Sequence, residues 1–362
     1  MLELARDLLP RIDAGERVAV VTVTHVFGSA PRALGSSMAV DEHGAAIGSI
    51  SGGCVEGQAY ELAEQTLGTS GTAVEHFGFD DATAFSAGLS CGGQIRVFAH
   101  AVDASSNAIV AELRAVAAGR PAGLALVVGG PVQGLVLTGA TRLQDVVSPA
   151  FDEDTARRIL AELGGRMRSG RSGTVEIDCL GAELEVTYIV HAEPPRMIIF
   201  GAVDFSAALC AAAVLQGYRV TICDARPVFA TAERFPGAAE IVVDWPADYL
   251  ASTPVDARTV LAVLTHDEKF DIPLLETALT LDVAYIGAMG SRRTHERRMR
   301  LLAEAGVDEI ALARLHSPIG LDIGASTPEE TAVSILAEVI AVGARASGAP
   351  LRTGSGPIHA EA

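Results

Sequence analysis

From Pro194 and Pro195 onward the chain alternates short, almost wholly apolar runs with stretches of helical periodicity. The runs "MIIFG", "RVTICD", "EIVVD", "TVLAVLT" and "VAYIGAMG" are interleaved with predicted helices at 205–216, 268–280, 291–305 and 328–342. A strand that is apolar on both faces must be covered on both, and parallel neighbours need a crossover, usually helical. The pattern therefore predicts an α/β, Rossmann-like, doubly wound parallel sheet over 197–345. "HAEPPR" at 191–196 reads as a linker, because its two prolines disfavour helix and pre-set an extended chain. The polar, glycine-rich "ASGAPLRTGSGPIHAEA" at 346–362 reads as a flexible tail.

Residues 1–190 carry a different rhythm and predict an N-terminal α+β domain. A helix over 1–14 precedes the valine- and threonine-rich strand "RVAVVTVTHVFGS", and a hairpin turns at Asp41–Gly44. Cys54 opens a predicted helix, "CVEGQAYELAEQTLG", with strands near 73–77 and 94–100 after it. A helix at 106–118, strands near 122–128 and 132–138, a helix at 152–169 and strands at 171–178 and 183–190 complete this half.

Charge excludes one class of partner. With 45 acidic against 27 basic residues the formal charge is −18 over 362 residues, and Lys269 is the only lysine. Such a surface repels nucleic acid. The start "MLELARDLLPRIDAGERVAV" has no basic n-region followed by an apolar h-region, and no apolar run reaches the roughly 18 residues of a membrane span. Five cysteines, an odd number without an export signal, argue for free thiols in a reducing cytoplasm rather than a disulfide framework.

The turn "GAVDFS" at 201–206 invites comparison with the dinucleotide fingerprint. Gly201 ends a strand, and Asp224, 23 residues on, stands where an acid can hydrogen-bond a ribose. The fingerprint's second and third glycines are replaced by Val203 and Ser206, and Asp204 puts a carboxylate at the helix start. Asp204 reads as an ordinary N-cap, so NAD(P) binding here is doubtful. "GAMGSRR" is better suited to an anion: Gly290 turns, Ser291 starts a helix, and Arg292 and Arg293 stand nearby. Those arginines read equally well as one solvated helix face with Arg297, Arg298 and Arg300. Thr265, His266 and Asp267 sit at the C-terminal end of a predicted strand, where open α/β sheets bind ligands.

Two thiols occupy glycine-rich turns: Cys54 in "GSISGGCVEG", beside Gly52 and Gly53, and Cys91 in "GLSCGG", beside Gly92 and Gly93. Structural cysteines prefer packed apolar sites, whereas flanking glycines let a ligand approach the backbone. A helix N-terminus at Cys54 would favour its thiolate. Cys179, Cys210 and Cys223 fall in regular elements and read as structural, and the paired spacing of a zinc motif is missing.

The stretches "GSAPRALGSSMAV", "GSISGGCVEG", "LSCGG", "THDEKFDIPLLETAL", "YIGAMGSRRTHERR" and "HSPIGLDIGASTPEETAVSILAEVIA" run in order from 28 to 341. In these the chain resembles the XdhC/CoxI family, accessory factors of xanthine dehydrogenase and related molybdenum hydroxylases. The resemblance implies a chaperone that binds molybdenum cofactor, in its molybdopterin or cytosine dinucleotide form. Such a chaperone assists sulfuration of the cofactor and delivers it to a hydroxylase of xanthine or carbon monoxide dehydrogenase type. It further implies Cys54 and Cys91 near the molybdenum, the adjoining glycines against the pterin and its phosphate, and Arg32 on a phosphate or pterin oxygen. A sulfurtransferase is a further partner, a homodimer the expected assembly, and no residue is assigned a catalytic role. Two other readings stand beside it: an NAD(P)-dependent oxidoreductase using His266 or a cysteine, and a scaffold whose apolar helices mediate dimer contacts.

Overall fold

The computed structural model describes residues 1–27, 32–69, 71–78 and 94–353. It divides into a unit ending at Glu193 and a second beginning at Pro194.

The first unit is built on two antiparallel sheets. A 3-10 turn at Leu2–Leu4 leads into α1 (Ala5–Asp13), followed by β1 (Val18–Phe27), β2 (Ser37–Asp41), β3 (Ala46–Gly48), α2 (Glu56–Thr69), β4 (Thr72–Gly78) and β5 (Gln94–Val102). These strands pair in the order β3-β2-β1-β5-β4. Then come α3 (Asn107–Ala117), β6 (Ala122–Gly129), β7 (Val136–Thr138), α4 (Leu143–Val146), α5 (Glu153–Ser169), β8 (Gly173–Cys179) and β9 (Ala182–His191). Their strands form a sheet in the order β7-β6-β9-β8.

Period-two alternation explains how the sheets are covered. Along β1, Val18 and Val20 enter a core shared with α1, α3 and the Leu124 and Leu126 face of β6, while Ala19, Val21 and Val23 pack under α2. Along β6 the other parity, Ala125 and Val127, packs under α5. Each sheet thus has a helix on one face and the shared core on the other.

The second unit holds β10 (Arg196–Phe200), α6 (Asp204–Leu215), β11 (Arg219–Cys223), β12 (Glu240–Val242), α7 (Pro246–Ser252), β13 (Val260–Val263) and α8 (Glu268–Thr280). It continues through β14 (Tyr285–Ala288), α9 (Arg292–Glu304), α10 (Glu309–Leu312), β15 (Leu315–His316) and α11 (Pro328–Ala344). The six strands are parallel in the order β12-β11-β10-β13-β14-β15. That is the Rossmann order, with its reversal between β10 and β13. One face, through Met197 and Ile199, packs on α6 and α11; the other, through Ile198 and Phe200, packs on α7, α8, α9 and α10. Strands buried on both faces are what the apolar runs require.

Three expectations need correction. The helix expected to open at Cys54 begins at Glu56, so Cys54 lies in the preceding loop. Asp204 is the first residue of α6 rather than its cap: Val203 holds that position, and the Asp204 carboxylate pairs with Arg234 at 3.0 Å. The strand expected near 132–138 is confined to Val136–Thr138, because Gly130–Gly134 turns back on β6, with Gly134 N–H donating to the Val127 carbonyl at 2.8 Å.

Arg298 departs from expectation as well. It does not belong to a solvated arginine face; its side chain is 3% exposed and donates to Asp271 on α8 at 2.7 Å. It also donates to Ser317 Oγ at 2.9 Å and to the Met289 carbonyl at 3.0 Å, while Thr265 Oγ1 donates to the other Asp271 oxygen. One buried ion pair thus ties together the chain leaving β13, β14 and β15. Breaking such a pair by removing one partner typically costs about 3–5 kcal/mol, because the other charge stays buried. Arg298→Met is therefore expected to lower the urea unfolding free energy by about that amount. A loss below about 1 kcal/mol, the worth of a surface pair, would contradict this role for the pair.

Candidate functional site

In the first unit, strand register gathers the connections that carry the sequence motifs. Phe27, at the end of β1, is opposite Gln94, which opens β5 and is opposite Gly78, the end of β4. Ser37, at the start of β2, is opposite Thr22, and Gly48, at the end of β3, is opposite Met38. The end of β1 and the start of β2, between which Arg32 falls in sequence, the start of the Ser49–Val55 loop, and the strand ends that flank 79–93 therefore lie at one end of the five-stranded sheet. Cys91, Gly92 and Gly93 lie outside the described residues. Arg32 is exposed.

The Ser49–Val55 loop is organised by a residue that sequence pattern leaves without a role. The Glu56 carboxylate accepts from the backbone N–H of Ser51 (3.0 Å), Gly52 (2.9 Å), Gly53 (2.8 Å) and Val55 (3.3 Å). It also accepts from the hydroxyls of Ser49 (2.7 Å) and Ser51 (2.5 Å). Ser51 Oγ in turn accepts from the N–H of Cys54 at 3.1 Å and of Val55 at 3.2 Å. Burial pushes the Glu56 carboxyl up, but the donors from Ser51, Ser49 and Gly52 outweigh it and hold it well below the usual carboxylate range. Gly52 and Gly53 have φ of +95° and +125°, which only glycine adopts without strain, so they let successive N–H groups converge on one acceptor.

This geometry alters what the loop can bind. The N–H groups expected to face a pterin or phosphate at Gly52 and Gly53 already point at Glu56. Their occupation also removes the free helix-start N–H groups from which thiolate stabilisation at Cys54 was expected. Cys54 itself is exposed, on a loop fixed by the bonds around it, whereas Cys179, Cys210 and Cys223 are buried. Burial pushes the Cys210 thiol up, and burial with nearby acids, Asp244 first, pushes Cys223 up to about 12, so both are inert. Among the described residues no group of three or more His, Cys, Asp and Glu could hold a metal ion.

In the second unit the C-terminal ends of β10, β11 and β13 surround the switch point. Gly201, at φ +102°, passes so close to β13 that a Cβ would lie 3.0 Å from the Thr265 backbone nitrogen. Asp224 is 3% exposed, and its carboxylate is fully engaged. It accepts from Ala202 N–H at 2.7 Å, from Arg226 N–H at 2.8 Å and from the Arg226 guanidinium at 2.8 and 2.9 Å. Burial raises its carboxyl, but the Arg226 side chain and the Ala202 N–H outweigh that and hold it below its ordinary value. The acid expected to meet a ribose is instead an internal strut, bonded to the turn a dinucleotide would occupy.

Two cavities flank Arg226, of about 210 and 190 Å³. The first brings Asp224, Thr265 and Asp267 together with Pro246 and Phe270; the second is lined by Ala202, Asp204, Phe229 and Arg234. The cations at this edge are all paired: Arg226 with Asp224 at 2.8 Å, Arg234 with Asp204 at 3.0 Å, and Lys269 with Asp267 at 3.6 Å. His266 lines neither cavity; it is exposed at φ +60°. Asp267 caps α8, accepting from Lys269 N–H at 3.1 Å. Gly290, Ser291, Arg292 and Arg293 also line neither. The Ser291 hydroxyl caps α9 by accepting from Thr294 N–H at 3.1 Å, and both arginines are exposed.

Glu56 and Arg226 are the residues that sequence reasoning misses. Glu56 stands two positions after Cys54, and an acid in the first helical turn after the Ser51-Gly52-Gly53 run is a capping signal. Arg226 stands two positions after Asp224, close enough to claim it.

Comparison with known proteins agrees with this architecture in both units. A family model described as the XdhC Rossmann domain matches residues 197–339, and one described as the XdhC and CoxI family matches residues 11–78. An uncharacterised Escherichia coli protein, YqeB, is 33% identical over 53% of this chain, a match that spans only 35% of YqeB. A Bacillus subtilis protein named as a probable xanthine dehydrogenase subunit is 27% identical over 90% of this chain and 93% of its own length. The molybdenum cofactor insertion chaperone PaoD of Escherichia coli is 26% identical over 94% of this chain and 87% of its own. A crystal structure of a xanthine dehydrogenase from Bacillus halodurans shares the fold, with a TM-score of 0.62 at 24% identity over 94% of this chain and 95% of that one. With both halves matched, and full-length relatives of the same kind, the chain belongs to the XdhC and CoxI family.

Proposed function

We propose that this chain is an accessory chaperone that binds molybdenum cofactor, assists its sulfuration and delivers it to a molybdenum hydroxylase of xanthine or carbon monoxide dehydrogenase type. The observation that carries this reading is Cys54: an exposed thiol on a loop immobilised by Ser51 and Glu56, in a relative of a cofactor insertion chaperone. A thiolate suits the soft metal–sulfur end of the cofactor. The phosphate end does not fit Gly52 and Gly53, whose N–H groups are taken; those glycines shape the turn. Arg32, exposed at the same sheet edge, is the residue we assign to a phosphate or pterin oxygen, with Cys91 as the second thiol. The bound cofactor supplies the hydroxylation chemistry of the enzyme that receives it, and the chaperone's part is to hold, shield and release it. A sulfurtransferase partner, a homodimer and a cytoplasmic location belong to this reading. No helix among the described residues is long and apolar enough to cross a membrane.

The alternative, an NAD(P)-dependent oxidoreductase, requires an acid free for the ribose and N–H groups free for the pyrophosphate. Asp224 and Ala202 satisfy each other instead.

Two measurements test these readings. Anaerobic mixing with molybdenum cofactor, followed by desalting and assay of metal and pterin, is expected to give near-stoichiometric retention by the wild type. Cys54→Ala and Cys91→Ala should each reduce it several-fold, and a folded wild type that retains nothing would defeat the carrier reading. Titration with NADH is expected to leave the fluorescence of Trp245 unquenched; its ring packs 4.9 Å from Phe270 of the larger cavity. Micromolar saturation would restore the dehydrogenase.

A further inference from the structure

We propose that the outward face of α6 and α11 is where two copies of this chain meet, antiparallel about a two-fold axis beside Ala337 and Ile340. The inference rests on the reading above for the homodimer, to which it gives a surface. It uses no residue of the Cys54 loop, so dimer and carrier can fail separately.

A helix that is apolar on every side is normally covered on every side. α6 carries no charged residue from Phe205 to Leu215. Between Thr331 and Ala344, α11 carries only Glu338, whose carboxylate is turned to Tyr285, His316 and the Gly320 N–H. The two helices pack against each other, and Ile335, Leu336 and Val339 of α11 face the core beneath them. That packing leaves a second apolar seam on α11: Val333, Ala337, Ile340 and Ala344, at the 4-3-4 spacing with which helices mesh. Val333 is 58% and Ile340 53% exposed, and on α6 Leu215 is 88% exposed. On a chain of formal charge −18, such an uncharged patch marks an interaction site.

The order of sizes along the seam selects the occupant. Read backwards, valine, alanine, isoleucine, alanine becomes alanine, isoleucine, alanine, valine. Two antiparallel copies therefore set Val333 opposite Ala344 and Ile340 opposite Ala337, twice over, a large side chain against a small one at each level. A parallel pair would set large on large. The charges at the ends of the seam agree. Glu329 stands at one end and Arg345 at the other, both exposed, and only the antiparallel arrangement brings the unlike signs together. The area fits as well. Helices of 12 and 17 residues side by side present a face of about 450 Å² before side-chain relief is counted. That is over half of the roughly 800 Å² that each partner of a stable complex buries. A recipient enzyme that docks and leaves calls for a more polar surface, whereas an apolar one suits a permanent partner.

Sedimentation velocity of the full chain tests this. The wild type is expected to run, at micromolar concentration, with twice the 37.4 kDa mass of one chain. Ile340→Arg and Ala337→Glu are each expected to weaken self-association about a hundredfold, because each change enters the interface twice. Mixed in equal amounts, the two variants are expected to pair again, since the antiparallel register sets one substitution against the other. A monomeric wild type, a dimer that neither substitution weakens, or a mixture that stays monomeric would each overturn the proposal. A monomeric wild type that binds the hydroxylase, with Ile340→Arg abolishing that binding, would assign the face to the enzyme instead. Circular dichroism checks that the variants fold. If either does not, Val333→Cys with Ala344→Cys takes its place, in the chain carrying Cys54→Ala and Cys91→Ala. Oxidation with diamide is then expected to give a covalent dimer, and its absence would overturn the face. Cofactor retention is read separately, so loss of the dimer and loss of the carrier reading are distinguishable.

Discussion

A buried backbone N–H must find an acceptor, and in this molecule three turns that contain glycine find a carboxylate from the chain itself. Glu56 closes the Ser49–Val55 loop, Asp224 closes the Gly201–Ala202 turn, and Glu338 accepts from Gly320 N–H at 2.7 Å beside Tyr285 and His316. Where the donor is buried, as Ala202 N–H is, leaving it unpaired would cost roughly 1–3 kcal/mol, so that turn and its acid are one device. Each pairing has the same consequence: a backbone concavity of the kind that elsewhere cradles a phosphate is already filled. The geometry of the loops follows from these acids more than from the glycines, which only permit it.

The two units reach their edges by different routes. In the parallel sheet the order reversal between β10 and β13 opens a crevice, as in any doubly wound sheet. Here the crevice is crossed by the Asp224–Arg226 pair and divided in two. Beyond it, Asp271 and Arg298 lock the chain leaving β13, β14 and β15, which fixes Thr265 while leaving His266 outward. In the antiparallel unit no such switch point exists among the described residues. Its edge is defined by register, through Phe27 opposite Gln94 and Gly48 opposite Met38.

The parallel sheet is legible in the sequence because burial on both faces leaves an unmistakable trace: runs such as "MIIFG" and "TVLAVLT" admit few other placements. The helix Glu268–Thr280 reads to the residue for a similar reason, its apolar spacing being uninterrupted. What pattern cannot carry is the identity of a polar partner distant in sequence. Arg298 looks like one of five arginines on a solvated helix until Asp271, 27 residues earlier, is folded beneath it. Asp224 has the spacing of a ribose acceptor, yet spacing does not say in which direction its oxygens point. The role of Glu56 is hidden differently: its partners are local, but apart from the Ser49 and Ser51 hydroxyls they are backbone N–H groups, which every residue but proline has. Cys91, singled out by its flanking glycines and by the family resemblance, lies outside the described residues.

Neutralised turns also bear on how an acidic protein could handle an anionic cargo. With a formal charge of −18, the chain cannot rely on a broad attractive field. At the second unit's crevice, where helix starts and arginines could have supplied local attraction, each cation already has an acid within 3.6 Å. On the carrier reading this is an advantage. Charge-assisted bonds to phosphate are among the strongest a protein makes, and a site built from them would hold its ligand against transfer. On that reading a soft thiol on a rigid loop makes the main contact at the metal end, and Arg32 is the single cation assigned to a phosphate or pterin oxygen, so the ionic hold stays weak. Weak electrostatic hold in the carrier and strong hold in the recipient would give delivery its direction.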